Sequence, residues 1–147
     1  MTEVDHVQVV REMWPTIGPH TAESLGAGAV SVAEIIRTLA HATRQAQTAL
    51  PYAPDGYVLL GHLSEAASSE AQVLEQLAGW VDVLADDPTL YHDAHPAGTD
   101  LSERQARRDA LEAVDDLREA ARHAAALAQS LRTAHARISH LGHRDDA

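Results

Sequence analysis

The sequence predicts an all-α protein: an antiparallel up-and-down helical bundle, four-helix-bundle-like, with three long helices and a short N-terminal one. Three observations predict it. Apolar residues recur at steps of three and four and never alternate, so no strand is expected. Pro and Gly cluster at Pro15–Pro19, Gly26/Gly28, Pro51–Gly56 and Pro88–Gly98, cutting the 147 residues into helix-length segments. Capping signals stand where those segments begin. A chain of this length fits one domain, residues 1–147.

The expected helices are 3–14, 21–50, 56–86 and 101–141, with a long loop at 87–100. The first is short and amphipathic, with Val4, Val7, Val10 and Trp14 on one side before Pro15. The second carries a seven-residue repeat, Leu25, Ala29, Val32, Ile36, Leu39, Thr43, Ala46 and Leu50. Ser31 and Glu34 form a capping box inside it, so a kink at Gly26/Gly28 or a start near residue 31 is an alternative. The third helix follows Asp55 and places Leu60, Leu63, Ala67, Glu70, Leu74, Leu77, Val81 and Leu84 on its stripe. The fourth opens on Asp100 and Glu103, an Asx form of the capping box. Its stripe runs Ala110, Val114, Leu117, Ala121, Ala124, Ala128, Leu131, His135 and Ile138, and Gly142 marks its end. Sustained patterns of this kind describe helices packed nearly parallel or antiparallel.

Lengths are unequal. At about 1.5 Å per residue the last helix would span roughly 60 Å and the third only about 45 Å. Its stripe is rich in Ala, which permits close approach but buries little area. Coverage of the excess by another subunit, a homodimer, is expected on this ground.

Composition narrows the function classes. There is no Cys, which excludes disulfides, thiolate zinc sites and Cys nucleophiles. Phe, Lys and Asn are absent while Ala and Arg abound, as in a GC-rich bacterial genome. The opening MTEVDHVQVVREMW has three acids and no basic n-region, unlike a signal peptide, and no apolar run approaches the ~18–20 residues of a membrane span. A cytoplasmic protein with no membrane association is expected. The formal charge of −11 lies wholly in residues 1–100, with three Arg against fourteen acids; residues 101–147 balance at eight against eight. Between Arg44 and Arg104 there is no cation and there are ten acids. Direct nucleic-acid binding, which needs a clustered basic surface, is not expected.

An antiparallel pair of the third and fourth helices about a loop centred near residue 93 would set Asp82 level with Arg104, Glu70 with Arg118, Glu65 with Arg122 and Asp55 with Arg132. Pairing of that kind fixes alignment and contributes about 0.2–1 kcal/mol per exposed pair. Glu75, Asp86, Asp87 and Asp93 then remain unmatched and form the expected partner-binding face for a protein with a basic surface. Glu70, on an apolar stripe, is costly to bury unless paired; the bland reading is a partly exposed Glu bonded to Arg118 or Arg37 that sets register, the sharper one a catalytic or metal-binding carboxylate, and it is carried as a candidate ligand residue. His135 lies on the stripe near Tyr52 and Tyr57. With Tyr57, His140 and His143 it marks a possible ligand-binding or pH-sensitive end.

Other chemistry is poorly supported. His41, His62 and His123 fall at one height on three helices, but their heptad phases disagree and zinc needs converging ligands. The only Glu-x-x-His is Glu3 to His6, so the di-iron bundle pattern fails. No P-loop, dinucleotide fingerprint, His-Glu-x-x-His or nucleophile elbow is present. No cofactor, metal or catalytic residue is expected. The sequence points to a non-enzymatic interaction or scaffold protein, docking a partner through its acidic helix and loop. The alternatives are a small-ligand or metal-binding bundle and an acidic DNA-mimic inhibitor.

Overall fold

The computed structural model describes residues 4–142. Every regular element among them is helical: α1 (His6–Met13), α2 (Ala22–Ala42), α3 (Ala46–Ala49), α4 (Ala53–Leu84) and α5 (Asp100–Ile138), with one 3-10 turn, Thr43–Gln45, after α2. None of the described helices is long and apolar enough to cross a membrane. The chain divides into two compact units, Met1–Pro51 and Tyr52–Ala147.

In the first unit Asp5 caps α1, its carboxylate accepting from the N–H groups of Val7 and Gln8 at 3.0 Å. The predicted start at residue 3 lies outside the described residues. Thr21 and Ser24 cap α2 reciprocally, at 2.9 and 3.1 Å. The helix therefore runs unbroken through Gly26 and Gly28, and the expected box at Ser31 does not form: Ser31 Oγ donates to the Ala27 carbonyl instead. A Cβ at Gly28 would make only ordinary contact with the Trp14 ring, at 3.5 Å. The single helix expected over 21–50 is interrupted at Thr43–Gln45, where Thr43 Oγ1 bonds back to the Leu39 carbonyl. The apolar residues of α2 are mostly exposed, Leu25, Val32, Ile35 and Ile36 among them.

The second unit is built on α4 and α5. Contacts pair Tyr57 with His135, Ser64 with Ala128, Asp82 with Arg118 and Asp86 with Arg107, so the two helices run in opposite directions. The seam is made of small side chains. Ser64, Ala67 and Ala78 of α4, with Ala85 at its C-cap, are buried against Ser102, Ala106, Val114, Ala121, Ala124 and Ala128 of α5. Ser64 Oγ donates to the Ala128 carbonyl at 3.2 Å. A two-atom side chain reaching the other backbone requires axes at the short end of the usual ~8–10 Å separation.

The α5 stripe read from sequence is the observed seam. The α4 stripe is corrected at every second position: Leu60, Ala67, Leu74 and Val81 face α5, but Ser64, Ala71, Ala78 and Ala85 replace Leu63, Glu70, Leu77 and Leu84. The physical reason is mutual. An alanine methyl adds only about one buried methyl group, ~0.8 kcal/mol, but it lets the backbones approach, and a Leu at Ala78 would hold them apart. Glu70 is accordingly exposed, not buried.

The helix ends move as well. α4 starts at Ala53 rather than 56, with Pro54 in its first turn and the Asp55 carboxylate accepting from Tyr52 N–H at 3.1 Å. Thr99, not Asp100, caps α5, accepting from Ser102 N–H at 3.3 Å. Gly98, with φ of 78°, supplies the left-handed turn that delivers it. α5 is continuous over 39 residues and ends at Ile138.

Candidate functional site

The segment between α4 and α5 is fixed rather than arched. Ser102, 0% exposed, accepts from the His92 N–H and donates to the His92 carbonyl, both at 2.9 Å. The Asp109 carboxylate lies 3.2 Å from His92 Nε2, and Nδ1 accepts from Ala94 N–H at 3.1 Å. These bonds set the tautomer, with the proton on Nε2. The segment thus lies along the first turns of α5, which extend past the end of α4. Here is the coverage that unequal helix lengths demanded.

This fold-back also shifts the cross-helix pairs away from the symmetric-loop expectation. Asp82 meets Arg118 at 4.0 Å, not Arg104, which pairs with Asp100 in its own helix at 2.9 Å. Asp86 meets Arg107 at 2.7 Å. Arg132 reaches Ser68 at 3.2 Å rather than Asp55. The expected Glu70–Arg118 and Glu65–Arg122 pairs do not form; Glu65 bonds His62 and Arg122 bonds Glu119.

Of the four acids expected to bind a partner, Asp86 is therefore already paired. Asp87 is held locally: Thr89 donates to its Oδ1 through the hydroxyl at 2.7 Å and the backbone N–H at 2.8 Å. The hydroxyl bond first, and the backbone bond second, hold its pKa below the ordinary 3.8. A depressed carboxylate stabilises the turn above pH 3.8 and loses that contribution as pH falls through its lowered value. Thr89→Val is expected to raise the Asp87 pKa toward 3.8, read by NMR titration; an unchanged value would show the hydroxyl to be irrelevant. Asp93 and Glu75 are exposed, Asp93 lying 3.7 Å from His92 Nδ1.

Asp86 and Asp87 border an open cleft of about 280 Å³, completed by Ala85, Pro88, Leu90, Asp100, Glu103, Arg104 and Arg107. Its two arginines are paired with Asp86 and Asp100, leaving Asp87 and Glu103 without a counter-charge among the described residues. At the other end of the hairpin Tyr57 and His135 stack, ring centroids 3.8 Å apart and planes 22° from parallel. Gly61 makes room for that ring: a Cβ there would stand 3.2 Å from His135 Nε2. A second open cleft, about 510 Å³, adjoins it, lined by Gly61, Ser64, Glu65, Ser68, Ser69, Arg132 and His135. His140 is exposed beyond the end of α5, and His143 lies outside the described residues.

His41, His62 and His123 do not converge; His62 lies by Glu65 and His123 by Glu119. Among the described residues no three His, Asp or Glu side chains gather as a metal site requires. Ser102 and Ser64 were not singled out from sequence. The available signal was positional: continuing the α5 stripe back from Ala110 through Ala106 arrives at Ser102. No protein-family model, curated protein or solved structure matches this chain.

Proposed function

We propose that the protein is a non-enzymatic helical interaction module that docks a protein partner of basic surface through α4 and the segment after it. The supporting observation is the cleft at the α4–α5 turn, where Asp87 and Glu103 remain uncompensated beside two satisfied ion pairs. A Lys or Arg side chain entering there completes the charge balance. Asp93 and Glu75, both exposed, extend the negative surface on either side. In this reading the chain is an up-and-down antiparallel bundle, works in the cytoplasm and assembles as a dimer.

Charge reversal at Asp87 and Asp93 tests it, because neither makes a cross-helix pair as Asp86 does. Asp87→Lys with Asp93→Lys is expected to abolish recovery of basic partners by the tagged full-length chain while leaving its melting temperature close to wild type. An unchanged partner set would sink the docking idea.

A small-ligand role is the second reading, favoured by the Tyr57–His135 stack beside the cleft containing Ser68 and Arg132. Native mass spectrometry of the protein purified without a tag decides it, and a mass equal to the bare chain ends it. The DNA-mimic reading loses ground, because Asp82 and Asp86 are engaged by Arg118 and Arg107 rather than free in a row.

A further inference from the structure

The α4–α5 hairpin has two unlike flanks. In a pair of helices running in opposite directions, residues one step after the seam on both helices fall on one side. Those one step before it fall on the other. The first side is polar and joined across: Ser68, Asp82 and Asp86 meet Arg132, Arg118 and Arg107. All six occupy positions one step after a seam residue, which confirms the geometry. The opposite side carries Leu59, Leu63, Val73, Leu77, Trp80 and Leu84 of α4, at the same three-and-four spacing. Ala113, Ala120, Leu127 and Ala134 of α5 fall on that side too, and by the same rule so do the polar Glu70 of α4 and Asp116, His123 and Arg137 of α5. It is open: Val73 is 52% exposed, Leu77 42%, Trp80 61% and Leu127 51%. Bulky apolar side chains lie there, while the buried seam among the described residues holds seven alanines and one valine as its apolar members.

We propose that this flank is covered by the same flank of a second copy of the chain. The two hairpins form a four-helix bundle about a two-fold axis parallel to the helices, α4 of each copy facing α5 of the other. The proposal rests on reading the protein as an interaction module, and it names the partner of the apolar surface.

Size and charge single out this occupant. Such an axis keeps residues at their own level. By the spacing of the observed cross-helix contacts, Val73 and Trp80 stand level with Ala120 and Ala113, and Leu127 stands level with Ala66. Val73, Trp80 and Leu127 of one copy therefore each face an alanine of the other, the interdigitation that close packing needs. The outer edge of this flank on α4, with His62, Ser69, Gln76 and Val83, carries no acid. Glu70, the one charged residue on the α4 stripe, has no ion pair within the described chain and falls level with His123 of the second copy. Closed two-fold assembly also leaves the polar flanks and the acidic clefts facing solvent.

Size-exclusion chromatography with light scattering on the full chain should give twice 15.8 kDa. Trp80→Glu should give the monomer mass with helical circular dichroism retained. Leu127→Glu, on the other helix, repeats the test if Trp80→Glu does not fold. The register is read by mixing two single-cysteine variants, Val73→Cys and Ala120→Cys, in a chain that has no cysteine of its own. Oxidation should yield a disulfide-linked heterodimer. A wild-type monomer overturns the proposal, whatever helix covers Trp80 within the chain; so does a dimer that survives both glutamates, or one that fails to cross-link. A dimer passing these tests while Asp87→Lys with Asp93→Lys leaves all partners bound would retain the interface and discard the basic-partner reading.

Discussion

Ala78→Leu is expected to destabilise the α4–α5 unit by about 1–3 kcal/mol, enough to lower its melting temperature by several degrees. Ala78 is 0% exposed and sits on the seam between Ala71 and Ala85. Three additional carbons there have no void to enter, so the helices must separate or the leucine must leave its rotamer well. Separation would also lengthen the bond from Ser64 Oγ to the Ala128 carbonyl, now 3.2 Å, and weaken the adjoining small-residue contacts. Urea unfolding followed by circular dichroism measures the change. Ala125→Leu, at an exposed position of α5, is the control and should stay within about 0.5 kcal/mol of wild type. Equal effects for the two substitutions would show that the alanine seam does not set the helix separation.

Ser102→Ala is expected to cost about 1–3 kcal/mol, because it leaves two backbone groups of His92 without their partner. The hydroxyl satisfies the His92 N–H and carbonyl together, at 2.9 Å each, from a position with no solvent exposure. Its loss should release the segment from α5 and free the Asp109–His92 contact at 3.2 Å. Hydrogen exchange of the His92 amide reads this directly: protection should fall there while Ala121 and Ala124 at mid-helix stay protected. Unaltered protection at His92 would mean that Asp109 alone holds the segment. The consequence extends to the acidic cleft, whose Asp86, Asp87, Pro88 and Leu90 belong to this segment.

Much of the architecture was readable because local chemistry fixes it. The α5 stripe from Ala110 to Ile138 is the observed seam, and its spacing alone identified it. Asp55 acts near the start of α4 because a short polar side chain satisfies an otherwise orphaned N–H group. α4 was harder. Leu63 and Leu77 are more apolar than Ser64 and Ala78, so a ranking by hydropathy chose the wrong neighbours. Which face of α4 meets α5 depends on the partner: an alanine-rich seam accepts small residues closely and large ones poorly. Glu70 was placed on the seam by the same error, and its exposure removes the desolvation cost that made it look unusual.

The candidate site was legible in part. The negative charge of the α4–α5 turn follows from composition, and Asp87 and Asp93 stand exposed there. Their unequal availability does not follow. Asp86 is engaged by Arg107 because the segment folds back along α5 and shifts the pairing away from the symmetric-loop expectation, an effect governed by one buried hydroxyl ten residues downstream.

The sequence by itself determined that this chain is helical, where α1, α4 and α5 fall to within a few residues, and that its negative charge gathers around α4. Those properties belong to single segments, through periodicity, capping and composition. Only the tertiary structure decided which flank of α4 is buried, which acids are paired and which apolar side chains remain exposed. Each of these is a relation between two helices, set by side-chain size at close approach and by how the connecting segment is anchored, and neither helix carries that information alone.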